Sequence, residues 1–100
     1  MLYHIAMFRF RDDVEASAID DLRRRLLELP GKIDTVRTYS VGRDAGIRDT
    51  SWDMVVIAGF DDAAGYLAYA DHPDHMPLVA EIGEIVEGRV ALQTEEILGG

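Results

Sequence analysis

The sequence contains no cysteine, and this absence excludes several kinds of chemistry. A disulfide framework, a thiolate nucleophile and a zinc site with cysteine ligands all require that residue. A chain without cysteine is compatible with a reducing compartment, and we expect a cytoplasmic location.

Positive charge is also scarce. Ten Lys and Arg residues stand against nineteen Asp and Glu residues, which gives a formal net charge of −9. Binding to the phosphates of nucleic acids requires a cationic surface, so we expect no nucleic-acid partner. The run Arg23–Arg25 lies beside Asp20, Asp21 and Glu28. This pattern is typical of a solvated, ion-paired helix face.

Long hydrophobic runs are missing as well. A membrane-spanning helix needs about 20 apolar residues, and no segment approaches that length. The N-terminal stretch MLYHIAMFRF lacks the basic flank and cleavage site of a secretion signal, so it predicts a strand. We expect no membrane partner. With 48% hydrophobic and 29% charged residues, the chain resembles one globular domain spanning residues 1–100.

The hydrophobic periodicity predicts seven secondary-structure elements. Strands are predicted at Leu2–Phe10, Ile33–Val41, Trp52–Phe60 and Arg89–Glu95, and helices at Val14–Leu29, from an N-cap at Asp61 to about Asp71, and at Met76–Val86. Apart from the short helix at Met76–Val86, the order β-α-β-β-α-β predicts a ferredoxin-like α+β fold. In this fold the helices cover one face of a four-stranded antiparallel sheet.

The face without helices has an apolar centre. Tyr3, Ile5 and Met7 on the first strand and Val55 and Ile57 on the third would point to this side. These are the two central strands of the ferredoxin-like order. Because an exposed apolar patch of this size is unfavourable in a monomer, we expect a second copy of the chain to cover it. The sequence therefore predicts a homodimer formed through the sheet.

The segment YLAYADHPDHMP, residues 66–77, has two interpretations. As a helix terminator, Pro73 would end one helix near Asp71 and Asp74 would cap the next. Functional groups concentrate in such connections, so the segment could instead be a functional site. In that case Tyr69 and His75 would meet at one opening. The residues alone leave both interpretations open.

Helical projection separates the side chains of this segment. An apolar stripe of Ala63, Leu67 and Ala70 would face the sheet, and His72 would lie on the solvent side. Tyr69 would lie at the rim, about 100° from the stripe centre. His75, after the break, can turn back toward the sheet.

His4 and the pair His72 and His75 each have a further interpretation. His4 lies on a central strand, where a lone histidine is commonly a neutral core residue. It would gain a functional meaning if it formed the floor of a pocket beside Tyr69 and His75. The i, i+3 pair His72 and His75 could hold zinc or iron. Because Pro73 prevents their alignment on one helix face, we expect no metal site.

Several of these features together resemble the stress-responsive A/B barrel (Dabb) domain family. They are the strand YHIAMFRF, the Val41-Gly42 pair, the apolar strand that runs into FDD, and the motif Y-x-x-H-P-x-H in YADHPDH, which is the most specific of them. The resemblance covers Met1 to about Glu96. It implies a homodimer whose two sheets close into a dimeric α/β barrel. It also implies a cavity between each sheet and its own helices.

The resemblance also implies roles for individual residues. One plant member of the family closes a linear polyketide by an aldol reaction without a cofactor. The position of its catalytic base matches His75, that of its substrate-holding tyrosine matches Tyr69, and that of its strand-one histidine matches His4. Where that cyclase has a further histidine and a further tyrosine, this chain carries Met54 and Leu26. We expect both to line the cavity and to make it more apolar.

Three hypotheses of function follow. The first is a lyase or cyclase that needs no cofactor and acts on a polyketide-like carbonyl compound, with His75 as general base and Tyr69 as the orienting phenol. The second is a stress-responsive protein that only binds a small apolar carbonyl or aromatic ligand. The third is a cofactor-free oxygenase. The sequence leaves open whether the protein is an enzyme.

Overall fold

Four strands and three α-helices form the chain in the predicted order. The structure is a computed structural model that describes residues 1–99. The elements are β1 (Leu2–Phe10), α1 (Ala16–Glu28), β2 (Val36–Arg43), β3 (Met54–Phe60), α2 (Ala63–Ala70), α3 (Met76–Ile85) and β4 (Val86–Thr94), with a short 3₁₀ turn at Leu29–Gly31.

The strands form one antiparallel sheet in the order β2-β3-β1-β4. The central strand β1 sets the register of the site. His4 lies opposite Ala58 on β3 and opposite Gln93 on β4. This arrangement confirms the prediction of a ferredoxin-like α+β fold.

The hydrophobic core lies between the sheet and the helices. On β1 the alternate residues Leu2, Ala6, Phe8 and Phe10 are buried, as the period of two predicts. The largest fully buried side chains come from the helices, the 3₁₀ turn and β3: Leu22, Leu26, Leu29, Phe60 and Tyr69. Each of these side chains contributes roughly 1.5–3 kcal/mol by leaving water.

The opposite face of the sheet carries apolar side chains without a cover. Met7 is 40% exposed and Ile57 is 39% exposed at the centre of the sheet, and Leu92 on β4 is 60% exposed. Ile5 connects them, because its register partners are Ile57 and Leu92. The predicted apolar patch is therefore present on this face.

Several predicted boundaries were wrong by two or three residues. α1 begins at Ala16, after Glu15 in extended conformation, and the predicted start at Val14 lies in the preceding turn. β2 begins at Val36 because the backbone N–H of Ile33 donates to Leu29 in the 3₁₀ turn. β3 begins at Met54, two residues after the predicted start.

The predicted helix caps were also wrong. Asp62, and not Asp61, caps α2: its carboxylate accepts from the backbone N–H of Gly65 at 2.9 Å. Asp61 instead accepts from the guanidinium of Arg37. Asp74 does not cap α3, because the N-cap position of that helix is His75.

α3 passes into β4 without any loop. The helix ends at Ile85 and the strand begins at Val86, three residues before the predicted start of the last strand. The backbone N–H of Arg11, just past the end of β1, donates to the carbonyl of Ile85 at 3.0 Å and fixes this junction. Within residues 1–99, no helix has the length and apolar character needed to cross a membrane.

Candidate functional site

A cavity of about 450 Å³ lies between the sheet and the helices. Its floor comes from the helix-facing side of β1, including His4 and Ala6. One wall comes from Val79 and Ile82 of α3 and from the N-cap residue of that helix, His75. The volume is within the range of small-molecule sites. The cavity is partly open to solvent.

Four of the five predicted site residues line this cavity, namely His4, Leu26, Tyr69 and His75. Met54 does not. It is buried opposite Phe8, one inward-facing position along β3 from Val56, and Val56 is the residue of that strand that lines the cavity.

Tyr69 and His75 contact each other across the helix break. Their ring centroids are 4.1 Å apart, with an angle of 33° between the ring planes. The backbone N–H groups of His75 and Met76 both donate to the carbonyl of His72, which closes a tight turn around Pro73. This turn directs the His75 ring back toward the cavity. The helix break and the site are therefore one structure.

The predicted apolar stripe of α2 was wrong. Leu67 is 55% exposed, whereas Gly65 and Tyr69 face the core. The Tyr69 ring packs against Phe60 at a centroid distance of 5.3 Å. Because an aromatic ring buries more apolar surface than Leu67 would, the helix turns that side inward. Tyr69 is only 2% exposed and is not at the rim.

The hydroxyl of Tyr69 lies 2.9 Å from the hydroxyl of Tyr39 on β2. Burial raises the pKa of Tyr39 to about 12 and also raises the pKa of Tyr69, so both phenols are neutral at pH 7. A hydroxyl can accept one hydrogen bond and donate another. With Tyr39 as its donor, Tyr69 can therefore donate to a ligand.

The hydrogen bond of His75 determines the position of its proton. Its Nδ1 lies 3.1 Å from the carbonyl oxygen of Ala70. Because a carbonyl oxygen can only accept, Nδ1 carries the hydrogen in the neutral ring. The Nε2 atom then has a free lone pair and can act as a base.

His4 has the opposite arrangement. The side-chain amide nitrogen of Gln93 lies 2.8 Å from its Nδ1. An amide nitrogen can only donate, so Nδ1 accepts and the hydrogen of the neutral ring is on Nε2. The two cavity imidazoles therefore present one acceptor and one donor.

Burial keeps both rings neutral. Desolvation lowers the pKa of His75 below its usual 6.5, although the hydrogen bond to Ala70 acts in the opposite direction. Desolvation also lowers the pKa of His4, and repulsion by a positively charged His75 is the second, smaller cause. Both imidazoles are therefore uncharged at pH 7.

His72 lies outside the cavity. Its Nδ1 accepts from the backbone N–H of Asp74 at 3.1 Å, and it is not among the cavity-lining residues. It therefore belongs to the turn around Pro73. No cluster of three or more His, Asp or Glu residues within the described part of the chain could hold a metal ion.

The sequence reasoning missed three partners of the site: Tyr39, Gln93 and the carbonyl of Ala70. The period of two in β2 would have placed Tyr39 on the same side as the buried Val41. Gln93 could be identified only from the register of β1 against β4. A backbone carbonyl has no signature in the sequence.

Comparison with known proteins supports the assignment of the fold. Residues 2–95 match the Stress responsive A/B Barrel Domain, Dabb. A stress-response A/B barrel domain-containing protein of Arabidopsis thaliana is 25% identical over 92 residues, which are 89% of this chain and 80% of that protein.

Solved structures agree with this match. A dimeric ferredoxin-like protein from Thermobifida fusca is 35% identical, with a TM-score of 0.86 over 93% of this chain and 88% of that chain. A hydroxynitrile lyase from Passiflora edulis is 18% identical, with a TM-score of 0.83 over 97% of this chain and 96% of that chain. The second likeness shows the fold alone. From the match over nearly its whole length, the chain belongs to the stress-responsive A/B barrel (Dabb) domain family.

Proposed function

We propose that this protein is a homodimer that binds a small, largely apolar carbonyl compound in each cavity and acts on it as a cofactor-free lyase or cyclase. The observation that carries the proposal is the opposite hydrogen-bonding character of the two imidazoles. His75 offers a lone pair and His4 offers an N–H in one apolar cavity. Leu26 contributes apolar surface to the same cavity.

The proposed first step is removal of a proton from the carbon beside a carbonyl group. Nε2 of His75 takes the proton, and the electron pair of the C–H bond moves onto the carbonyl oxygen to form an enolate. The N–H of His4 and the hydroxyl of Tyr69 donate to that oxygen. In a cyclase, the enolate carbon then attacks a second carbonyl, whose oxygen receives the proton from His75.

The homodimer is supported by the apolar sheet face and by the relatives. Met7, Ile57 and Leu92 leave the centre of that face exposed in the single chain. The 35%-identical relative from Thermobifida fusca is a dimer. A second copy over this face would bury on the order of 1,500 Å² in total.

Lyase chemistry is known on this fold, because the Passiflora edulis relative is a hydroxynitrile lyase. At 18% identity that likeness carries no residue roles. The catalytic part of the proposal therefore depends on the side chains of this cavity. The competing function is a stress-responsive protein that binds its ligand without turnover, since the same cavity would serve it.

Hydrogen–deuterium exchange of ligand protons tests the proposal without knowledge of the natural substrate. A panel of alkyl and aryl 1,3-diketones is incubated with the protein in D₂O, and loss of the α-proton signal is followed by NMR. The expected result is exchange that His75→Leu slows by about 10²- to 10⁴-fold, the usual contribution of a general base. The matched control is His72→Ala, which leaves the rate unchanged.

The outcomes separate the two functions. Exchange that His75→Leu supports at the wild-type rate, above the uncatalysed rate in buffer, would contradict the role of this residue as the base. Binding of the diketones without any exchange would support the non-catalytic binding protein.

A further inference from the structure

Arg89 lies at the far end of the same cavity and has no ionic partner among the described residues 1–99. Its side chain lines the cavity from β4. No ion pair or side-chain hydrogen bond formed within residues 1–99 includes it. The chain has an excess of nine negative charges, so a shortage of carboxylates does not explain this.

The distance from Arg89 to the imidazoles is similar whether it is counted along β4 or along α3. On β4, Arg89 precedes Gln93 by four residues, or about 13 Å at the rise of an antiparallel strand. On α3, Gly83 follows His75 by eight residues, or about 12 Å at the helical rise. Nη1 of Arg89 lies 3.9 Å from the position that a Cβ of Gly83 would occupy.

The two estimated lengths, together with the contact between Arg89 and Gly83, describe one elongated cavity. Because α3 joins β4 directly, Gly83 and Arg89 lie near the junction, and both elements run from there toward the imidazole end. Apolar side chains such as Val79 and Ile82 line the wall between the two ends. The cavity therefore has a guanidinium at one end and the acid/base pair at the other.

We infer that the ligand is an elongated monocarboxylate, with its carboxylate bound to Arg89 and its reactive carbonyl group beside His75 and His4. A guanidinium matches the planar geometry of a carboxylate and can donate two parallel hydrogen bonds to it. No other Lys or Arg lines the cavity among the described residues, which favours a single negative charge. This inference rests on the proposed function and adds the substrate class to it.

The test compares acids with neutral analogues of the same shape. The probes are alkanoic acids of increasing length with a methyl ketone at the far end, together with their methyl esters. Their affinities for the full-length protein are measured by titration calorimetry. The variant Arg89→Gln removes the guanidinium. The matched control Arg48→Gln removes another arginine without an ion pair in the described chain, one that does not line this cavity.

The wild-type protein is expected to bind the acid of optimal length about fivefold more tightly than its ester, the size expected for a solvent-exposed ion pair. Arg89→Gln should abolish this preference and leave ester affinity unchanged, and Arg48→Gln should preserve the preference. Equal affinity of acid and ester in the wild type would overturn the inference and leave the proposed function intact. Equal weakening of acid binding and ester binding by Arg89→Gln would also overturn the inference, since Arg89 would then only support α3. If neither probe binds and the diketones undergo no exchange, the proposed function itself fails.

Discussion

Replacing Tyr39 by phenylalanine removes one hydroxyl from the pair that holds Tyr69. The remaining hydroxyl, on a Tyr69 side chain that is only 2% exposed, loses a partner 2.9 Å away. An unsatisfied buried hydroxyl costs about 1–3 kcal/mol. Because Tyr69 also lines a cavity that water can enter, we expect a cost near 1 kcal/mol.

The double variant Tyr39→Phe/Tyr69→Phe removes both hydroxyls together. Replacing both partners of a hydrogen bond by apolar groups of the same shape is nearly neutral, so we expect the double variant to cost less than the sum of the single variants. The coupling energy should be about 1 kcal/mol.

Urea unfolding of the four proteins at one fixed protein concentration measures this cycle, since the proposed dimerisation would make stability depend on concentration. Thermal unfolding should show the Tyr39→Phe midpoint lowered by roughly 4–8 °C per kcal/mol for a domain of this size. Additive effects in the cycle would refute the reasoning, because the two hydroxyls would then not interact in solution.

Three further predictions concern the charge state, the proton position and the assembly. Burial places the folded pKa of His75 below its unfolded value of 6.5, so the unfolded state binds more protons and stability falls as pH drops from about 6.5 through the folded pKa. In urea titrations at pH 7 and at pH 5.5, His75→Leu should therefore lose less stability at the lower pH than the wild type does. An unchanged pH dependence would contradict the burial of the ring. Gln93→Leu should reduce the Nε2–H tautomer of His4 in ¹⁵N NMR spectra, whereas an unchanged ratio would show that Gln93 does not fix the proton. Val55→Lys should place an unpaired charge in the proposed dimer interface at a cost of several kcal/mol. Light scattering at micromolar concentration should then detect a monomer, and a persistent dimer would place the interface elsewhere.

The fold was predictable because its signals are local. The bounds of β1, Leu2–Phe10, follow directly from alternation over nine residues. Errors arose where a tertiary contact decided which of two neighbouring residues caps a helix. Asp61 and Asp62 are equally good caps by sequence, and the ion pair between Asp61 and Arg37 on β2 leaves Asp62 as the cap.

The candidate site was predictable only in part. The helix break at Pro73 allowed His75 to turn back toward the sheet but left the helix-terminator interpretation open. The rotation of α2 was missed because counting apolar residues gave Leu67 more weight than the larger ring of Tyr69. Gln93 is 89 residues from His4 along the chain, and only strand register brings them together.

The direct junction of α3 and β4 has a consequence for how a ligand reaches the cavity. With no loop between Ile85 and Val86, and with Arg11 fixing the carbonyl of Ile85, the wall and floor at that end form a rigid corner. Because the cavity is already partly open to solvent, a ligand can enter it without any movement of this corner. Under the proposed function, the distance from Arg89, near the corner, to the imidazoles would therefore be set by the fold before the ligand binds, and the cavity would select ligands by their length.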